Sequence, residues 1–167
     1  MARRLSPGKN PPEADNVYTP EILAQRIVNH FQPFGDCLEP CSGGGAFVRA
    51  MQRYGVSSVT SLDIKEGLDF FDLPGELKFD FIITNYPWSK YRKFLNHSMK
   101  VARNIITLGP TNHVLGSYAR MNDIEREGFF IREICRVERP KEWASSGFDY
   151  SAIRLTRQPG GCIITKL

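Results

Sequence analysis

Two stretches of the chain combine residue types that can do chemistry. In the first, Leu38-Glu39-Pro40-Cys41-Ser42-Gly43-Gly44-Gly45-Ala46-Phe47, a short apolar run ends on a carboxylate, and three glycines separate it from a helical pattern. Backbone without Cβ atoms lets a nucleotide-like cofactor come close, and the helix start behind it offers free N–H groups. A buried carboxylate at Glu39 wants a cationic or hydroxyl partner. Asp63 ends the next apolar run, where an acid commonly holds ribose hydroxyls. The turn lacks the GxGxxG spacing of dinucleotide folds, and no Walker lysine follows; a plain tight turn is the competing reading. The second stretch, Asn85-Tyr86-Pro87-Trp88, follows an apolar run at 79–84. Trp88 there offers an aromatic face for a base rotated out of its duplex, with a core tryptophan as the alternative. His30, His97 and His113 show no metal spacing, and His97 is expected to face solvent. Cys37, Cys41, Cys135 and Cys162 lack paired CxxC spacing, so neither a metal site nor a disulfide framework is expected.

These residues need elements to hold them. Thr19-Pro20 marks a helix start, with threonine as the cap and proline in the first helical position; Leu23, Ile27 and Phe31 form its apolar stripe. Residues 37–39 read as a short strand. Phe47, Ala50, Met51 and Tyr54 carry a helical period stopped by Gly55, and 58–64 alternates into a strand ending at Asp63. Residues 68–71 suit a third strand, 79–84 a fourth and 105–108 a fifth. Tyr91, Phe94, Leu95, Ser98 and Ala102 mark a helix with Arg92, Lys93, Asn96, Lys100 and Arg103 on its other side. Residues 118–127 read as helix before Gly128, and 129–137 and 150–156 as two final strands. Alternating strands and helices imply an open, mainly parallel sheet that binds ligands at the carboxyl ends of its strands, where all the motifs fall.

On these residues the chain resembles the class I S-adenosylmethionine-dependent methyltransferases. Residues 38–47 look like their cofactor motif, and Asn85-Tyr86-Pro87-Trp88 looks like the NPPY/NPPW motif of amino-methyltransferases. Tyr18-Thr19-Pro20 resembles the segment that touches the methionine end of the cofactor in adenine methyltransferases. Asp69-Phe70 matches the acidic-aromatic pair at the cofactor's adenine. The resemblance implies a Rossmann-like α/β fold. Its open, mostly parallel sheet has seven strands, one antiparallel near the C-terminus, and helices on both faces; the short gap from Asp63 to Asp69 trims the helix between strands two and three. Similar abbreviated forms occur among phage and prophage enzymes. It further implies S-adenosyl-L-methionine as cofactor, held by Tyr18, Thr19, Glu39, Pro40, Gly43, Gly45, Phe47, Asp63, Ile64, Asp69, Phe70 and Asn85. The amino group to be methylated would be met by the Asn85 side-chain oxygen and the Tyr86 carbonyl. Asn85, Tyr86, Pro87 and Trp88 are the expected catalytic residues. Tyr86 departs from the family, which usually has proline there, and its substitution removes a rigid ring.

Charge narrows the substrate. At 167 residues and net charge +4, the chain is only mildly basic, yet no acid lies between Asp80 and Asp123, a stretch holding Lys90, Arg92, Lys93, Lys100, Arg103 and Arg120. Such a stretch suits a polyanion, or else is a solvated helix face. Lys90, Arg92 and Lys93 are the expected nucleic-acid contacts. The expected reaction is methylation of adenine N6, with DNA favoured and RNA open. The alternatives are glutamine N5 in a protein, or a non-catalytic cofactor-binding accessory subunit. Residues 1–17, rich in proline and arginine, read as an extended arm, and 18–167 as a single domain with little length for target recognition. Recognition then falls to loops at 110–117 and 141–149, to the arm or to a separate partner protein; oligomeric state is left open. No apolar run of bilayer length and no signal-peptide pattern is present, so a cytoplasmic location without membrane contact is expected. Trp143 and Phe148 are candidates to close the far side of the base, with ordinary packing the favoured role for each.

Overall fold

The computed structural model describes residues 17–143 and 147–167, so most of the expected arm and part of the 141–149 loop lie outside the described residues. Helix α1 (Glu21–Phe31) is followed by β1 (Asp36–Glu39), α2 (Ala46–Tyr54), β2 (Ser58–Ser61), β3 (Phe79–Thr84), α3 (Tyr91–Val101) and β4 (Ala102–Pro110). A short α4 (Asn112–Leu115), α5 (Tyr118–Arg126), β5 (Phe130–Val137), β6 (Tyr150–Thr156) and β7 (Ile163–Lys166) complete the chain. The strands form one seven-stranded sheet in the order β2-β1-β3-β4-β6-β5-β7. Strand β6 runs antiparallel to both β4 and β5; every other pairing is parallel.

Alternation along the central strands builds a core on each face. Cys37, Phe81, Ile83, Ile106 and Leu108 meet Leu23, Ile27, Val28 and Phe31 of α1 and Phe47, Ala50 and Met51 of α2. Leu38, Ile82 and Ile105 point the other way, onto Tyr91, Leu95 and Met99 of α3, with Val114 and Ile124 beyond. The β1–α2–β2 and β3–α3–β4 crossovers thus lie on opposite faces. A crevice opens at the switch between β1 and β3, the usual ligand site of such sheets.

Four local expectations need correction. Residues 68–71 are not a strand; Asp69 caps a 3₁₀ turn, Phe70–Asp72, accepting from the Phe71 N–H at 2.9 Å. In a strand Phe70 and Phe71 would point to opposite faces, whereas both rings pack on Phe94 and His97 of α3. The seventh strand is instead β7 at the far edge, whose exposed Ile163 and Ile164 gave no alternating pattern. Helix α1 begins one residue late, with Pro20 itself in the extended capping position and no side-chain cap from Thr19. His97 does not face solvent: its ring sits edge-on to Phe70 with centroids 4.7 Å apart, and burial lowers its pKa. The four cysteines are free thiols, two of them buried.

Candidate functional site

The crevice between β1 and β3 is a cleft of about 520 Å³. Its floor is the end of β1 and the glycine turn. Glu39 is buried at the strand's last position, and its Oε1 accepts the Cys41 N–H at 3.0 Å. Burial pushes its pKa up to about 8, against the lowering effect of that hydrogen bond. Gly43 and Gly45 both have positive φ, a conformation that glycine adopts without a Cβ penalty. The Gly43 N–H donates to Asp63 Oδ2 at 2.8 Å, and Asp63 Oδ1 accepts from the Lys65 N–H at 2.8 Å. Asp63 therefore ties the glycine turn to the loop after β2 and keeps spare lone pairs towards the cleft.

The lid of the cleft comes from the segment before α1. The Tyr18 ring lies over Gly43, where a Cβ would approach its Cε1 to 3.1 Å, and its hydroxyl accepts from Lys65 Nζ at 3.1 Å. Behind it, Arg49 of α2 donates to the Gly44 carbonyl at 2.7 Å and pairs with Glu21, bracing the turn against α1. The far wall holds Ile64, Asp69, Phe70 and Phe94. Asn85 stands where β3 ends. Its Nδ2 donates to the Val17 carbonyl at 3.0 Å and weakly to Thr19 Oγ1 at 3.5 Å, while its Oδ1 accepts from Trp88 Nε1 at 3.1 Å.

Most of the expected cofactor residues line this cleft: Tyr18, Thr19, Glu39, Pro40, Gly43, Phe47, Asp63, Ile64, Asp69, Phe70 and Asn85. Gly45 shapes the turn from behind as the residue preceding α2, backed by Arg49. Of the expected catalytic residues, Asn85 and Pro87 line the cleft. The Tyr86 side chain is buried under α3, its hydroxyl 2.6 Å from Ser98 Oγ. The Trp88 ring is half-buried against Trp143 and Tyr150. Trp143 is buried, in keeping with a packing role, and donates Nε1–H to the Tyr18 carbonyl at 2.9 Å. Lys90 lines the cleft and also a neighbouring surface groove with Ser89, Arg92, Lys93 and Asn96. Arg92 is held by Asp123 at 2.6 Å, and Lys93 Nζ lies 3.8 Å above the Phe71 ring. Sequence reasoning missed Val17, Glu21, Arg49 and Phe94. It also missed that His30 and Glu133, 2.6 Å apart, are brought beside Cys135 at the far end of α1.

No protein-family model and no curated protein sequence matches the chain. Solved structures do. The M protein of the type I restriction enzyme EcoKI superposes with a TM-score of 0.65 at 13% identity, over 83% of this chain and 43% of that one. A modification subunit assigned to a type I restriction enzyme of Vibrio vulnificus gives 0.59 at 14%, over 84% and 44%. This chain thus spans less than half the length of those two subunits. A Pyrococcus horikoshii protein assigned as an RNA methyltransferase gives 0.60 at 13%, over 92% of this chain and 93% of that one. Among the described residues, no helix is long and apolar enough to cross a membrane. Sheet order, the single antiparallel strand, the crossovers on both faces and these superpositions agree: the chain has the Rossmann-like fold of the class I methyltransferases.

Proposed function

We propose that this chain is an S-adenosyl-L-methionine-dependent methyltransferase acting on adenine N6 in nucleic acid, with DNA favoured over RNA. The observation that carries the proposal is Asn85, an amide fixed by its Val17 contact at the mouth of a glycine-floored cleft, directly ahead of the Tyr86 carbonyl.

The cleft's own chemistry suits the cofactor. Glu39 is a buried carboxyl awaiting a cation, which the methionine ammonium provides. Asp63 meets ribose hydroxyls, with Ile64 beside it. Asp69 and Phe70 take the adenine against Phe94. Tyr18 and Thr19 close over the methionine end, and Pro40, Gly43, Gly45 and Phe47 shape the backbone beneath it. Bound there, the cofactor supplies an electrophilic methyl on a sulfonium. The chain's part is to align an amino nitrogen behind that methyl and exclude water. Adenine N6 is a poor nucleophile because its lone pair is conjugated into the ring. Asn85 Oδ1 and the Tyr86 carbonyl would each accept a hydrogen bond from the N6 amino group and draw the nitrogen towards tetrahedral geometry; as the N–C bond forms the C–S bond breaks to leave a neutral thioether, and the surplus N6 proton then leaves to water. Oδ1 already accepts from Trp88 Nε1, but a carbonyl oxygen has a second lone pair for the substrate. No general base is needed at the start.

Lys90, Arg92 and Lys93 beside the cleft meet the flanking phosphates, and the Trp88 face meets the base. Sequence preference is proposed to come from a separate target-recognition partner. RNA is kept as the second reading, supported by the end-to-end superposition on the Pyrococcus protein. A radiolabelled methyl-transfer assay with DNA, RNA and protein side by side tests the proposal. N6-methyladenine in DNA is the expected product; label in protein alone would replace this reading by glutamine methylation.

A further inference from the structure

Each of the two tryptophans in the chain donates its indole N–H into the candidate site. Trp88 Nε1 donates to Asn85 Oδ1 at 3.1 Å, and Trp143 Nε1 donates to the Tyr18 carbonyl at 2.9 Å. The rings touch, with centroids 6.0 Å apart and planes at 77°, and both rest on Tyr150 at 5.9 and 5.0 Å. One aromatic cluster at the start of β6 therefore reaches both the segment over the cofactor cleft and the amide at its mouth. That segment is bound at a second point too, since the Val17 carbonyl accepts from Asn85 Nδ2.

The polarity of these bonds matters. A side-chain amide has an acceptor end and a donor end, and Asn85 is met by a donor at Oδ1 and an acceptor at Nδ2. Turning the amide over would set oxygen against the Val17 oxygen and NH₂ against the Trp88 N–H. Both contacts would become repulsive at once. The Trp88 N–H therefore selects the orientation in which Asn85 offers its oxygen to the substrate.

We infer that the two indole N–H groups are positioning groups for methyl transfer: Trp88 orients the Asn85 amide, and Trp143 holds residues 17–19 over the cofactor. This rests on the proposed methyltransferase reading, and it assigns Trp88 a task in its ring edge that its stacking face does not perform. Phenylalanine keeps the ring and loses the N–H, which separates the two tasks.

Hydrogen exchange of the two indole N–H groups, followed by NMR on the free protein, tests the contact without any need for activity. Both should exchange slowly in the wild type, and Asn85→Ala should speed Trp88 alone. Unchanged Trp88 exchange in that variant overturns the inference. In kinetics, Trp88→Phe should lower kcat about five- to tenfold, the size of one neutral hydrogen bond, with cofactor Kd and target KM unchanged. Trp88→Ala should in addition raise target KM. Trp143→Phe should raise cofactor Kd by a similar factor and spare kcat at saturation. Wild-type kcat in Trp88→Phe, or a parallel loss of cofactor affinity and Tm in both phenylalanine variants, overturns it as well. If the wild type transfers methyl to no substrate, the proposed function fails, while the exchange and Kd measurements still decide the inference.

Discussion

Glu39 ends β1, whereas Asp63 lies two residues past the end of β2, where it caps a 3₁₀ turn, and their surroundings set them different tasks. Asp63 is committed to two backbone N–H groups, and Glu39 to one, in a dry site that holds its pKa near 8. At pH 7 the Glu39 carboxyl is mostly protonated. In the proposed complex the cofactor's ammonium would favour the carboxylate, so binding would expel a proton. Affinity should therefore climb as the pH rises towards about 8 and level off above it. Calorimetry at pH 7 in buffers of different ionisation enthalpy should register proton release, and Glu39→Gln should flatten the pH profile. A wild-type affinity indifferent to pH from 6 to 9 would remove Glu39 from the ammonium site. A second prediction separates binding from turnover. Asn85→Ala should abolish methyl transfer and weaken cofactor binding at most about fivefold, through its lost Val17 contact. Asp63→Ala should lose binding outright, because it removes the proposed ribose acceptor and unties the Gly43 turn together. Equal calorimetric losses in the two variants would undo this division.

Among the elements, α3 is where composition and structure diverge most. The basic residues of α3 and of the turn before it read alike in sequence, yet the fold uses them unequally. Arg92 is bound by Asp123, which Arg92, Asn96 and Arg126 together surround, while Lys90 sits at the junction of cleft and groove. In salt titrations of DNA binding, Lys90→Ala should lower the slope of log affinity against log salt by about 0.9 for a duplex or 0.7 for a single strand. Arg92→Ala should change the slope less and stability more. Identical slopes for wild type, Lys90→Ala, Arg92→Ala and Lys93→Ala would withdraw the basic stretch as evidence for nucleic acid. The Arg92 guanidinium holds the Asp123 carboxyl well below its usual range. Its depressed folded-state pKa contributes stability that is complete above the ordinary carboxylate range and is lost progressively as the pH falls below that range, towards the lowered folded-state pKa. Asp123→Asn should therefore lower Tm at neutral pH and flatten the acid limb of the Tm profile; a parallel shift at all pH values would speak against that role. The same elements show how far local pattern reaches. Apolar spacing predicts α2, β3 and α3 to within a residue or so, because α2 and α3 each bury one face against the sheet and β3 is a continuous apolar run buried on both faces. It fails at 68–71, where consecutive phenylalanines both turn to α3, and at β7, whose strand is decided by pairing with β5.

At the scale of the whole molecule, the cleft draws on segments far apart in the chain: residues before and at the start of α1, the glycine turn and the start of α2, the loop after β2, the end of β3, and Lys90 and Phe94 beyond it. A ligand that bridges them binds only the folded chain. S-adenosylhomocysteine at 100 times its Kd should therefore stabilise the fold by about 2.7 kcal/mol, a shift of a few degrees in Tm. No shift at millimolar ligand would mean that the cleft is not a cofactor site. The sequence alone determined the alternation of strands and helices, the glycine turn between β1 and α2, and the acids and amide at strand ends. These features are local, since a period of two or 3.6 residues and a positive-φ turn are set by neighbours along the chain. Only the tertiary structure decided which strand is the seventh, that Arg92 faces Asp123, that Tyr86 is anchored on Ser98, and that Trp88 and Trp143 turn their N–H groups into the site. Apart from the Trp88–Asn85 bond, which spans three residues, these depend on contacts between residues 12 to 125 positions apart, which are made when helices pack on the sheet and leave no periodic trace in the residues themselves.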